Sequence, residues 1–354
     1  MKGYKQMSIT KQKFGTLPSG EEVYAYTVDN HEGLRAQFID YGCVITKLIV
    51  SDEDKGDIDV VLGRDTLEPY IKNPCCLGMT VGRYANRMRN SSFELNGEVY
   101  TQEPNEGKNI CHSSWSNFGK RVWQAKYDDE NANAISFELS SPDGENGYPG
   151  DLNSVVTFTL DGKKLDIHYE AVANKDTVVN FTNHSYFNLN GHNSGTVLEH
   201  TLQINADFYT PVDNELIPTG EILSVKGTAL DFTEAKPIGR DIGDDKPELK
   251  PANGGYDHNF VLRGTGLREI AVLKGDKTGL KMTTYTDKPG VQIYGGMGLG
   301  GEIYKDGAEY APYQGVCLET QFFPNSMEYS HFPSAVVECG DKYDYTTIYS
   351  FDFE

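Results

Sequence analysis

The sequence predicts an all-β protein, a large antiparallel β-sandwich with few short helices. Three observations carry that expectation. Short runs rich in β-branched and aromatic residues alternate with polar ones. Hairpin chemistry separates several of them. Helical periodicity is scarce. In chain order the alternating runs are EEVYAYTVDN (21–30), RAQFIDYGCVITKLIV (35–50), SVVTFTL (154–160), KLDIHYEAV (164–172), EHTLQINADFYT (199–210) and LKMTTYTDKPGVQIYG (280–295). Tight turns are expected at LNGE (95–98), LDGKK (160–164) and GDKTG (275–279). TLEPYIKNP and the stretch around SNFGKRVW are the places for short helical turns. NFTNHSYFNLNGH (180–192) reads as a further strand, with Phe181, Asn183, Ser185, Phe187 and Leu189 on one face and Thr182, His184, Tyr186 and Asn188 on the other. No repeat or linker divides the chain, so residues 1–354 are read as one domain. The long polar stretch 236–256 is a loop of the kind that is functional or mobile.

Charge excludes some partners. Lys plus Arg number 32 and Asp plus Glu 52, giving a formal net charge of −20. Such a surface repels phosphate backbones and anionic lipid, so neither nucleic acid nor membrane is expected. No apolar run reaches the ~20 residues that span a bilayer. The basic start MKGYKQMSITKQKFG has no apolar core for a secretory signal, which places the protein in the cytoplasm. The six cysteines form no CxxC pair, so buried free thiols and no zinc site are expected.

Five clusters hold candidate site residues. GRYANRMRN (82–90) offers Asn86 and Arg87 as donors to an oxygen-rich ligand, or else a basic loop in salt bridges. NICHSSWSNFGKRVWQ (109–124) offers His112 beside small residues, and both tryptophans. Trp115 could form a platform for a sugar's C–H face, while Trp123 fits core packing better. NFTNHSYFNLNGH offers His184 and Tyr186. A lone histidine is more often a satisfied structural one, so partners elsewhere must decide. GGYDHNFVL (254–262) places Asp257 at a strand entrance, with His258 and Asn259 read as structural. PGVQIYGG and GVCLETQFFPNSM put Gln292 and Glu319 in otherwise apolar strands. Partial burial raises a carboxyl pKa, which suits Glu319 to general base catalysis. There is no phosphate loop, dinucleotide fingerprint, nucleophile elbow or metal-ligand spacing. Acid, base and hydrogen-bonding chemistry remains.

GRYANR, the histidine of CHSSW, DGENGYPGDL, NHSYFNL, YDHNFVL, PGVQIYGG and LETQFFPNS occur in the order found in aldose 1-epimerases, the galactose mutarotases, which this sequence resembles from about residue 15 to TTIYSF near its end. The resemblance implies the galactose mutarotase-like supersandwich with an open sugar cleft, and interconversion of the α and β anomers of aldohexoses such as galactose and glucose. It implies Glu319 as general base and His184 as general acid. It implies Asn86, Arg87, His112, Tyr186, Asp257 and Gln292 as sugar-binding residues. A histidine with an ordinary pKa of about 6.5 would suit the acid. Tyr186 and Asn188 would orient it. No cofactor or metal is needed, and the partner is a small aldose acted on by a monomer or homodimer. The chain has HSS at His112 where the family usually has HGG, and YGGMGL where it has a loop with Thr or Asn. Two other readings stay open: a hexose-phosphate 1-epimerase of the same fold, with Arg83 and Arg89 for the phosphate, or a non-catalytic carbohydrate-binding module. A glycoside hydrolase would need two carboxylates, for which Asp257 and Glu319 are formal candidates.

Overall fold

A computed structural model describes residues 8–128, 133–243, 245–302 and 304–353. The first seven residues of the basic N-terminal stretch lie outside them. Strands dominate, and the described residues hold one α-helix, Leu67–Lys72, within TLEPYIKNP. A 3₁₀ turn at Phe118–Lys120 occupies the second predicted helical place.

Three antiparallel sheets carry the architecture. The first is a five-stranded meander, Ser8–Thr16, Glu22–Asp29, Leu34–Ile39, Val44–Asp52 and Gly56–Asp59, in chain order. The second has nine strands. Its centre is Leu152–Asp161, Lys164–Ala173, the C-terminal strand Lys342–Phe353, and Leu280–Thr286. The third has five, ordered Leu223–Ser224, Ala206–Thr210, Asp257–Leu262, Gly290–Tyr294 and Cys317–Gln321. The alternation seen in the sequence is the burial pattern: along Leu152–Asp161 every second residue is buried. The buried face of the nine-stranded sheet meets the first sheet through Phe158 and Phe38, whose rings are 4.4 Å apart. It meets the third through Tyr349, whose hydroxyl donates to Leu318 O at 3.1 Å. All three sheets share one continuous apolar cluster.

The predicted turns form. Asn96 (φ 54°) and Gly97 (φ 80°) both take the left-handed conformation that a two-residue Asn-Gly hairpin turn requires. LDGKK and GDKTG also connect paired strands, the second through a five-residue loop.

Stretch 180–192 departs from expectation. Only Thr182–Asn183 forms a regular strand, paired with Thr80–Val81. The rest is extended but irregular, and Asn180 to Leu189 are buried without a solvated face. The cause is asparagine chemistry. Asn183 Oδ1 accepts from Ser185 N–H and Asn188 Oδ1 from Asn190 N–H, and such local bonds compete with a ladder. Two further expectations need correction. Of six free cysteines only Cys43 and Cys317 are buried, because the others lie in loops or at strand ends. The 236–256 stretch is pinned down: Leu249 and Ile238 are buried and Glu248 O accepts from His258 Nε2 at 2.8 Å.

Candidate active site

The third sheet supplies three of the predicted residues. Asp257 opens its strand, Gln292 sits mid-strand, and Glu319 lies directly across from Gln292. Gln292 Nε2 donates to Asp257 Oδ1 at 2.6 Å. Glu319 is 2% exposed, and its Oε2 has no hydrogen-bond partner among the described residues. An unpaired buried carboxylate oxygen needs a functional explanation.

Irregular segments bring the rest. Asn86 (φ 66°) accepts Arg87 N–H on Oδ1 at 2.8 Å and gives its own N–H to His112 Nδ1 at 3.2 Å. Arg87 Nη1 donates to Asp257 Oδ2 at 3.2 Å, and its Nε and Nη2 grip Glu106 at 2.6 and 3.0 Å. Bridging antiparallel to Val316, Phe187 sets the register of its segment against the Glu319 strand. Counting three residues from that bridge along each chain brings His184 opposite Glu319. There His184 Nε2 lies 3.6 Å from Glu319 Oε1. The His184 ring is 5.3 Å from that of His112 and 5.1 Å from that of Tyr186, whose hydroxyl donates to Cys75 O. All eight residues predicted for the site thus belong to one connected cluster.

Electrostatics divide the pair. Burial, reinforced by Asp257 and opposed by Arg87, pushes the Glu319 carboxyl well above its ordinary range. Burial pushes His184 down to about 4, which corrects the expectation of an ordinary imidazole. His112 is also driven well down, by burial first and then by His184 and Arg87. Burial thus favours the carboxylic acid and the neutral imidazole over the charged pair, and 3.6 Å separates the two groups.

Ligand atoms of His112, His184 and Glu319 lie within 4.8 Å of one another, close enough to hold an ion. The His112 tautomer opposes this. With Nδ1 accepting from Asn86, the neutral ring carries its proton on Nε2 and has no free lone pair for a metal. It acts as a donor instead.

Some expectations fail in detail. Asn188 does not orient His184, since its amide bonds Gly195 O and Gln314 O. Arg83 is buried and donates to Pro149, Gly150 and Ser141, and Arg89 pairs with Asp213 and Glu328, so both phosphate candidates are committed elsewhere. Trp123 is buried, while Trp115 is 64% exposed beside a groove of about 520 Å³ with Tyr41, Ile71 and Pro74. His258 and Asn259 are structural, as read.

Sequence reasoning missed Tyr294, Glu106 and Cys317. Tyr294 stands two residues after Gln292 on one strand, and its ring is 6.2 Å from His184. That alternation was the available signal. Cys317 Sγ lies 3.5 Å from His184 Nδ1, two residues before Glu319 and so on the same strand face. No sequence signal marked Glu106.

With this geometry in place, comparison with known proteins is informative. The aldose 1-epimerase family model matches residues 24–350. The chain belongs to the aldose 1-epimerase family. It is 40% identical over 347 residues to the galactose mutarotase of Bos taurus, covering 98% of this chain and 99% of that one. It is 36% identical over 341 residues to the aldose 1-epimerase of Escherichia coli K12, covering 94% and 96%. Among solved structures, the galactose 1-epimerase of Lactobacillus acidophilus superposes with a TM-score of 0.86 at 28% identity, covering 98% and 99%. The fold is that of the galactose mutarotases. This family member is an isomerase, an aldose 1-epimerase that interconverts the anomers of aldose sugars.

Proposed function

We propose that Glu319 and His184 are the general base and general acid of this epimerase. The supporting observation is their opposition across 3.6 Å, both buried, with pKa values displaced in opposite directions. In the closed-ring complex the carboxylate and imidazolium form of the pair faces the sugar. Glu319 takes the proton of the anomeric hydroxyl and His184 gives one to the ring oxygen. The ring opens to the aldehyde, the carbonyl turns about its bond to the next carbon, and the steps reverse on the other face. Ring opening leaves Glu319 protonated and His184 neutral. That is the protonation pattern burial favours, so the desolvated site stabilises the open-chain state relative to the charged pair.

The other residues bind hydroxyls. His112 Nε2–H, the Asn86 amide, Gln292 and the Arg87 guanidinium are donors. Asp257, held by Gln292 and Arg87, is an acceptor fixed in place. Tyr186 packs on His184. Free aldohexoses such as galactose and glucose are the substrates, without a cofactor or metal. The protein works as a monomer or homodimer in the cytoplasm, a compartment that keeps thiols such as its six cysteines reduced.

Polarimetry of freshly dissolved α-galactose and α-glucose tests this, with wild type and His184→Asn. Wild type should speed relaxation to equilibrium rotation, and the variant should lose about 10²–10⁴ in rate, the usual contribution of a positioned acid or base. A variant within tenfold of wild type removes His184 from the reaction.

A further inference from the structure

Three lysines are buried: Lys236, Lys288 and Lys305. Lys236 bonds Asp241 at 2.7 Å and Lys305 bonds Asp59 at 2.8 Å. Among the described residues Lys288 bonds no carboxylate, although it is 0% exposed. Its Nζ donates to Phe181 O at 2.7 Å and to Thr320 O at 3.4 Å, and lies 3.9 Å from the centre of the Tyr169 ring. Its nearest charge is the neighbouring Asp287. Burial drives its pKa down to about 7. Burying an ammonium without a counter-ion is costly, several kcal/mol by general experience, so the position calls for a reason.

Its two acceptors supply one. Phe181 stands three residues before His184, and Thr320 immediately follows Glu319. The segment carrying His184 runs antiparallel to the strand carrying Glu319, joined by the bridge from Phe187 to Val316. At the other end Asn180 Oδ1 accepts from Phe322 N–H at 2.9 Å. Between these ends His184 sends its own backbone bonds the other way, to Met79 O and from Gly78 N–H. The gap holding the acid and base thus has no ladder of its own. Phe181 O and Thr320 O both point at Lys288, and two carbonyl oxygens converging without a donor would repel.

We propose that Lys288 is a positioning residue that sets the separation of His184 and Glu319 by clamping Phe181 O and Thr320 O. The proposal rests on the reading of that pair as acid and base. A three-donor ammonium suits it because it satisfies both carbonyls at once. The Tyr169 ring adds a cation–π contact.

The test is Lys288→Met, which keeps length and removes donor and charge, with Lys288→Gln as the variant that keeps an N–H donor. Folding is checked by thermal melting. Mutarotation of galactose is followed by polarimetry, and binding of non-reacting 1-deoxygalactose by calorimetry. Reacting groups displaced by an ångström can lose about 100-fold in rate. Lys288→Met should lose about 10- to 100-fold in kcat, with KM and 1-deoxygalactose affinity within about threefold, and Lys288→Gln should regain part of the loss. Wild-type kcat in Lys288→Met overturns the clamp. So does a parallel fall in kcat and 1-deoxygalactose binding, which marks general damage. If Lys288→Met does not fold, Lys288→Gln is judged by the same two criteria. Should His184→Asn and Glu319→Gln keep wild-type rates, the acid–base reading fails first. Should they be inactive while Lys288→Met is normal, only the clamp fails.

Discussion

Glu319→Gln should destroy activity and increase stability, and the gain should depend on pH in a calculable direction. The carboxyl is 2% exposed, Oε2 has no partner among the described residues, the imidazole facing it is pushed down to about 4, and the opposing pull of Arg87 is smaller than the effect of burial. Its folded pKa is raised well above the ordinary 4.5. Between 4.5 and that raised value the folded protein holds a proton the unfolded chain has released. Folding stability contributed by this group is therefore fully present below pH 4.5 and is lost as pH rises, until the folded carboxyl ionises. One proton corresponds to about 1.4 kcal/mol per pH unit. Glutamine has the same shape and no titration, so the stability gap between variant and wild type should widen with pH at about that slope. His184 contributes an opposite slope, stability gained as pH rises from about 4 to 6.5, but it does so in both proteins and largely cancels. Urea unfolding of both proteins at pH 5, 6 and 7 measures the gap, and polarimetry measures the rate. Activity should fall by about 10²–10⁴. A gap that is flat or narrows with pH refutes the burial argument. A rate within tenfold of wild type refutes the role of base.

Two further outcomes follow from neighbouring residues. His112, Ser113 and Ser114 have φ of 52°, 59° and 66°, a conformation costly for residues with a Cβ. Ser113 Oγ offsets this by accepting from Tyr84 N–H, donating to Tyr84 O and bonding the Tyr148 hydroxyl, whereas Ser114 Oγ is buried without a partner. Ser114→Gly should therefore stabilise by about 1 kcal/mol and Ser113→Gly destabilise by about 1–3 kcal/mol in urea melts; equal signs would show that strain is not the controlling quantity. Arg87→Met should raise KM about 10- to 100-fold, the value of a hydrogen bond to a charged donor, and push Glu319 higher still because Arg87 lowers it. An unchanged KM in initial-rate polarimetry would leave Arg87 as a purely structural partner of Glu106 and Asp257.

Legibility in the sequence followed the regularity of the backbone. Asp257, Gln292 and Glu319 lie on strands, where period-two alternation says which face a side chain takes. The same rule failed in 180–192, because Asn183 and Asn188 bend the backbone locally and both faces are covered. His184 nevertheless reached the site, since its position was fixed by the Phe187–Val316 bridge rather than by a strand face. Glu106 and Lys288 could not be read at all. One sits in a loop and the other in a turn, and their importance comes from what approaches them across 19 to 107 residues of chain. The raised carboxyl pKa was foreseeable from an apolar strand around a glutamate. The lowered imidazole was not, because a row of Thr, His, Tyr and Asn looks solvated until its cover is seen.

This division has a mechanical consequence. The proposed base and the proposed hydroxyl acceptor stand on a hydrogen-bonded sheet, where register fixes Gln292 opposite Glu319 to within the ladder's tolerance. The proposed acid and two of the four proposed donors stand on backbone in left-handed or irregular conformations, at His184, Asn86 and His112, held by side-chain bonds instead. A sheet resists sliding because its bonds recur at regular spacing along each paired strand. An irregular segment resists only as well as its few ties. On the proposed assignment of His184 and Glu319 as acid and base, the ties at Cys317, Asn180 and Lys288 would carry more of the catalytic geometry than any equal number of bonds within the sheet. Loss of one sheet bond should show mainly in stability, and loss of one tie mainly in kcat.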